Sequence, residues 1–276
     1  MGARGTVVKR LEHGIEVELV EVAREMADAA RRETLAFFRA PGLRTENKDD
    51  GGGWDPVTEA DRNAERAMRR VLERRRPDDG ILGEEFGATD GCTGLQWVLD
   101  PIDGTRSFIS GVPLWGVLIA VSDESGPLFG IVDQPHIGER FEGGFGTASV
   151  VDRHGRRELR TRRTGRIGDA ILFTTFPEIG TPGERSAFER LSDRAMLTRY
   201  GTDCYAYTLL AGGHIDLVVE AGLHPYDIHA PIALVLAAGG VVTDWSGAPA
   251  HESSRIVAAA TPELHRIAVE VMAFQE

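Results

Sequence analysis

The stretch Trp97-Val98-Leu99-Asp100-Pro101-Ile102-Asp103-Gly104-Thr105 decides how this chain is read. Trp97, Val98 and Leu99 form an apolar run that predicts a buried strand, and Asp100 stands at its end. Pro101 and Gly104 predict a turn that folds Asp103 back beside Asp100. Two carboxylates brought together at the end of a buried strand repel one another unless a cation lies between them.

Two other stretches repeat this combination. Ile81-Leu82-Gly83-Glu84-Glu85-Phe86-Gly87 sets adjacent glutamates after an apolar pair and between glycines. Farther on, Glu220 ends the run Leu217-Val218-Val219, and Pro225-Tyr226-Asp227 opens an apolar helix. Each has an ordinary reading as well: turn acids in the first, and at Asp227 a helix cap as readily as a ligand. Acids of this kind, if they converge, suit Mg²⁺ or Mn²⁺, which bind through a few carboxylates plus substrate phosphate.

The apolar spacing predicts a helix over 16–40, stopped by Pro41 and Gly42, and a second from Thr58 to Pro77. Thr58 with Asp61 reads as a capping pair for the second helix. The charged, glycine-rich segment between them carries Lys48 and reads as a solvated loop or as a flap beside a site. Strands are expected at 96–100, 116–122 and 128–133, then at 170–174, 215–220 and 240–245. Helices are expected at 184–193, 203–211 and 227–238, with a last one opened by Thr261-Pro262. Helices before a run of strands, then alternation, predict an α/β (layered α+β) architecture with two sheets. The basic run from Arg153 to Arg166 reads as a junction or a solvated hairpin. It divides an N-terminal subdomain, 1–160, with most of the candidate ligands, from a C-terminal one, 161–276, with Asp227.

The 276 residues hold 31 basic and 43 acidic side chains, a formal net charge of −12. That balance argues against nucleic acid and anionic membranes as partners. It leaves room for a small phosphorylated substrate, because a bound metal reverses the field locally. Cys92 and Cys204 are too few for a disulfide framework or a cysteine zinc site. With no signal-peptide pattern and no apolar run of about 18 residues, a cytoplasmic protein is expected.

Asp55-Pro56-Val57-Thr58-Glu59-Ala60-Asp61, Gly83-Glu84-Glu85, Asp100 to Thr105 and Asp227 occur in a characteristic order and spacing. In these the chain resembles the inositol monophosphatase-like superfamily of metal-dependent phosphatases, over nearly its whole length. The resemblance implies an αβαβα sandwich and a homodimer. It implies two or three Mg²⁺ ions, with Mn²⁺ able to substitute, held by Glu84, Asp100, Asp103, Asp227 and the backbone carbonyl of Ile102. It places the N–H groups of Gly104 and Thr105 against the phosphate at a helix start. Thr105 and Asp55 would orient or deprotonate the attacking water, with Glu84 beside them and Glu85 farther out. The implied reaction is hydrolysis of a phosphate monoester by metal-activated water, with no covalent phosphoenzyme. The six acids so assigned carry half of the formal net charge of −12.

The alcohol side is read from Gly201-Thr202-Asp203-Cys204-Tyr205-Ala206-Tyr207 and from Glu220-Ala221-Gly222-Leu223-His224-Pro225-Tyr226-Asp227. Both depart from inositol monophosphatases and resemble the histidinol-phosphate phosphatase branch. Histidinol phosphate carries an ammonium group and an imidazole, and Asp203 and Glu220 would offer such a cation two carboxylates. Asp203 also reads as a helix cap, Tyr205 and Tyr207 as packing, and Arg106 as a surface residue. His229 and Pro231 are departures from the family pattern. Pro231 is expected to sit early enough in its helix to lose no bond, and His229 to have no catalytic part. The alternatives are an inositol-1-phosphatase or a broad sugar-phosphate phosphatase, fructose 1,6-bisphosphate included. A metal-binding regulatory protein is the non-enzyme alternative.

Overall fold

The computed structural model describes residues 11–47 and 56–273. Two long helices come first, α1 (His13–Phe37) and α2 (Glu59–Arg75). The short strands β1 (Thr45–Asn47) and β2 (Pro56–Thr58) pair antiparallel between them. Leu19, Val22, Ala23, Met26, Ala27 and Ala30 give α1 one buried face. Thr58 caps α2: the Ala60 N–H donates to its hydroxyl (3.1 Å), and its own N–H donates to Asp61 Oδ2 (2.9 Å).

Eight strands form the larger sheet: β3 (Gly80–Gly83), β4 (Gly87–Thr89), β5 (Gln96–Asp103), β6 (Gly116–Asp123), β7 (Gly126–Gln134), β8 (Glu139–Gly144), β9 (Thr147–Asp152) and β10 (Gly155–Glu158). Their order is β10-β9-β8-β7-β6-β5-β3-β4. Every pair is antiparallel except β3 with β5. The single turn of helix α3 (Thr105–Ile109) follows β5. The second half alternates: β11 (Ile171–Thr174), α4 (Pro182–Ser192), β12 (Leu197–Tyr200), α5 (Tyr205–Ala211), β13 (Leu217–Ala221), α6 (Pro225–Ala237), β14 (Val241–Thr243), β15 (Arg255–Ala259) and α7 (Pro262–Met272). Its five strands run in the order β12-β11-β13-β15-β14.

The alternation of side chains along the strands builds five layers. Trp97, Leu99, Val117, Ile119 and Ile131 face α1 and α2. Val98, Leu118, Val132 and Phe141 face the other way, onto α5 and α6. Those helices pack in turn on Phe173, Val218, Ile256 and Ala258 of the second sheet. Leu172, Leu217, Val219 and Val257 then meet Phe188, Leu191, Leu264 and Met272 of α4 and α7. The result is the expected αβαβα sandwich. α6 lies between the sheets, and its residues from Ile228 to Val235 are all buried. Glycines on the larger sheet admit it: a Cβ on Gly130 would stand 2.6 Å from the Ala230 Cα, and one on Gly143 2.4 Å from the Leu234 Cα.

Two expectations need correction. α6 begins at Pro225, so Pro231 lies beyond the first turn, where its absent N–H would have reached the Asp227 carbonyl. The helix keeps it because packing on both sides holds α6 in place. The segment 203–211 is helical only from Tyr205, and Asp203 adopts φ 44°, a left-handed conformation unusual outside glycine. His229 is buried and serves the scaffold. Its Nε2 donates to the His251 carbonyl (2.9 Å), so its Nδ1 accepts from the Ser122 hydroxyl (2.8 Å). Burial pushes its pKa down to about 4, which fixes the neutral ring.

Candidate active site

The turn after β5 creates the centre of the site. Asp100 pairs with Leu118 and Asp103 with Gly116, so β5 carries one residue more than β6 between these points. In a regular strand, residues three apart face opposite sides; this bulge removes that constraint. The Ile102 N–H donates to Asp100 Oδ1 (3.0 Å), and the Thr105 hydroxyl donates to the Ile102 carbonyl (3.1 Å). Gly104 starts α3 at φ 81°, and a Cβ there would lie 3.0 Å from the Asp203 carboxyl carbon. Glycine meets both requirements.

Glu84 is brought to Asp100 by the parallel pairing of β3 with β5, continued by its N–H donating to the Leu99 carbonyl (3.1 Å). The turn that follows is held by Glu65 of α2, which accepts the Glu85 N–H at 2.7 Å and the Arg69 guanidinium at 2.8 Å. Glu65 packs so closely that a Cβ on Gly83 would stand 2.0 Å from its Oε1. Asp227 arrives on α6. The N-cap is His224 rather than Asp227, and the His224 N–H donates to Asp227 Oδ2 (2.7 Å). Asp227 therefore caps its helix and also stands at the site.

Asp100, Asp103 and Asp227 each bring a carboxylate oxygen within 4.8 Å of the other two. Burial, then the charges of Glu84, Asp103 and Asp227, hold the Asp100 carboxyl well above its ordinary range. Burial, then Asp203 and Asp227, does the same to Asp103, against the opposing N–H of Cys204 at 2.7 Å. This is a site short of positive charge. Its donors are hard oxygens at a spacing that one divalent ion can bridge, and they fit Mg²⁺ or Mn²⁺.

A cavity of about 390 Å³ opens over the cluster, and Glu84, Asp100, Ile102, Asp103, Thr105 and Asp227 line it. Asp203, whose carboxyl carbon packs against Gly104, and Glu220 line it as well. Asp203 does not cap α5, whose N-cap is Cys204; its Oδ2 accepts the Ser107 hydroxyl at 2.7 Å. Glu220 ends β13, with Oε1 accepting both the N–H and the hydroxyl of Thr175 at 2.8 Å. Burial lifts its pKa to about 7. Arg106 is exposed, as expected, yet it lines the cavity and lies over the Phe176 ring, 4.9 Å from the centroid. Tyr226 stacks on His224 at 5.1 Å, also in the lining.

Asp55 and Lys48 lie outside the described residues. Glu85 is half-buried, tied by its N–H to Glu65, and is not among the cavity-lining residues. One further acid, Asp61, has only a cap's signature in the sequence. Asp61 is buried, its Oδ1 finds no partner among the described residues, and burial helped by Glu84 lifts its pKa to about 6. Its capping bonds use Oδ2 alone, so the local pattern does not account for Oδ1. Tyr207, read as packing, also lines the cavity.

Comparison with known proteins places this geometry. Residues 16–275 match the model of the inositol monophosphatase family. The bifunctional phosphatase IMPL2, chloroplastic, of Arabidopsis thaliana is 37% identical over 260 residues, 90% of this chain and 73% of that protein. The histidinol-phosphatase of Mycobacterium tuberculosis is 36% identical over 229 residues, 82% of this chain and 87% of its own. An inositol monophosphatase structure from Zymomonas mobilis superposes with a TM-score of 0.83 at 37% identity, covering 96% of this chain and 100% of that one. The five-layer fold, the acid cluster and the match along the chain's length agree: this protein belongs to the inositol monophosphatase family and is a phosphatase of that family.

Proposed function

We propose that this phosphatase is Mg²⁺-dependent and hydrolyses histidinol phosphate to histidinol and phosphate, a step of histidine biosynthesis. The observation that carries the choice of ester is that Asp203 and Glu220 share one cavity with the Asp100, Asp103 and Asp227 cluster. A phosphate held through metal at the cluster leaves its alcohol portion facing two further carboxylates. An ester bearing an ammonium group gains from them, and a neutral polyol gains less. The relative named histidinol-phosphatase supports the same reading.

Glu84, Asp100, Asp103, Asp227 and the Ile102 carbonyl would hold two to three ions. Mg²⁺ there supplies charge neutralisation for the phosphate and a lowered water pKa. The Thr105 hydroxyl is fixed by its donation to the Ile102 carbonyl, which leaves its lone pairs to accept from a water. Asp61, ionised above about pH 6 with one oxygen unpaired, is suited to take a proton. Gly104 and Thr105 would turn backbone N–H groups to the phosphate. The working unit is a cytoplasmic homodimer. Among the described residues no helix is long and apolar enough to cross a membrane.

The second reading, an inositol or sugar-phosphate phosphatase, is favoured by the Zymomonas mobilis inositol monophosphatase, 37% identical to this chain. Purified protein with Mg²⁺ is assayed side by side on histidinol phosphate, myo-inositol 1-phosphate and fructose 1,6-bisphosphate. The expected result is a kcat/KM for histidinol phosphate at least about tenfold above the others, a margin of one charge-assisted contact. A higher value for either of the other esters overturns the assignment.

A further inference from the structure

α5 carries two tyrosines, Tyr205 and Tyr207, on different sides of the helix. The Tyr205 hydroxyl donates to Glu139 Oε2 (2.7 Å), away from the site, and is accounted for. Tyr207 is 4% exposed, lines the active-site cavity, and its buried hydroxyl has no hydrogen-bond partner among the described residues. A buried phenol left unpaired costs the fold stability, so native structures pair such groups with protein, water or ligand. Phenylalanine fills the same space without that cost.

The surroundings say which part of a ligand would meet it. Glu220 is the acid that acts most strongly on the Tyr207 hydroxyl, followed by Asp103 and Asp227. Glu220 is engaged with Thr174 and Thr175. The hydroxyl shares one cavity with Glu220, Asp103 and Asp227, and none of them satisfies it. Burial and these charges hold the phenol well above its ordinary pKa, so it stays neutral and keeps both donor and acceptor capacity.

We infer that the Tyr207 hydroxyl hydrogen-bonds the alcohol portion of the substrate, selecting esters whose leaving group carries a polar atom there. The inference rests on the reading of this cavity as a phosphate-ester site, whichever ester it takes. Tyr207 acts in binding and orientation; the phosphate itself is held elsewhere.

The test is Tyr207→Phe in the full chain with Mg²⁺. kcat/KM is measured on histidinol phosphate, myo-inositol 1-phosphate and glycerol 2-phosphate, with inhibition by inorganic phosphate and thermal melting without substrate. On the ester that the wild type prefers, the variant should lose about tenfold in kcat/KM, mainly through KM. Inhibition by inorganic phosphate, which has no alcohol portion, should be unchanged, and the melting temperature should hold or rise. Unchanged kcat/KM would mean that the hydroxyl is a tolerated orphan or meets only a water, and the inference falls. A lower melting temperature would show a structural partner, and weaker inhibition by phosphate would place Tyr207 on the metal side; either overturns it. The wild-type rates judge the choice of ester, and the variant-to-wild-type ratio judges Tyr207, so the two failures are distinguishable.

Discussion

Two sets of buried acids coexist in this molecule under opposite electrostatics. In the scaffold each acid meets arginine. Asp133, fully buried, accepts Arg31 through two bonds (2.6 and 3.0 Å) and Arg140 at 2.8 Å. Glu142 accepts Arg24 through two bonds (2.6 and 2.8 Å) and Arg156 at 3.0 Å. Burial alone would raise the Glu142 carboxyl, but those hydrogen bonds outweigh it and bring the pKa below its ordinary value. At the site the leading influences on Asp100 and Asp103, after burial, are other acids, and both carboxyls are held high. The chain supplies arginine where a carboxylate is structural. Where it does not, the missing charge is the cavity's capacity for metal and, through metal, for an anion. A net charge of −12 is therefore compatible with a phosphate ligand.

The widest separation between the two sets is expected from Asp100→Asn. Removing one ligand should lower Mg²⁺-dependent phosphate release on the order of a thousandfold. The same change relieves repulsion in the metal-free protein, so its melting temperature should hold or rise. It should also lose the stabilisation that Mg²⁺ gives the wild type, about 2.7 kcal/mol at a hundred times Kd. Turnover near the wild-type rate would remove Asp100 from the metal site.

Asp133→Ala probes the other set and should reverse the signs. It leaves Arg31 and Arg140 without their buried partner and should cost about 3 kcal/mol in denaturant unfolding, with kcat per folded molecule unchanged. A stability gain here, or a loss at Asp100→Asn, would erase the distinction between the sets.

These sets were not equally legible in the sequence. Asp100, Pro101, Asp103 and Gly104 were, because a strand end, a turn and a glycine are local chemistry. The cap at Thr58 was local too, and the same locality concealed Asp61, whose burial and unpaired Oδ1 no local pattern shows. Arg24 and Glu142 are 118 residues apart, and no spacing rule joins them. β8 and β10 carry little strand signal for a related reason. Gly-Arg-Arg-Glu in β10 is exposed throughout, and Glu-Arg-Phe-Glu-Gly-Gly in β8 buries a glutamate that only arginines from elsewhere make tolerable. Tyr207 looked like packing because an orphan hydroxyl is visible only in three dimensions.

Glu220 belongs to neither set, and its titration gives the smallest and most discriminating effect. It is buried and lines the cavity, yet hydroxyls and an N–H pair it where the scaffold uses arginine. Its folded-state pKa, about 7, lies above the ordinary 4.5. The folded protein therefore favours the neutral acid: its contribution to stability is full below pH 4.5 and is lost as pH rises through about 7. Binding of an ammonium runs the other way, because only the ionised form attracts it. The kcat/KM ratio of wild type to Glu220→Gln on histidinol phosphate should thus rise about tenfold between about pH 6 and pH 8. On glycerol 2-phosphate the ratio should stay flat, since that ester has no ammonium. Over the same range the melting temperature of the wild type should fall relative to that of Glu220→Gln. Titration of the phosphate group, common to both esters, cancels in the ratio, so a slope on both esters would assign the effect to the metal cluster. A flat ratio on both would leave Glu220 a structural acid held by Thr174 and Thr175.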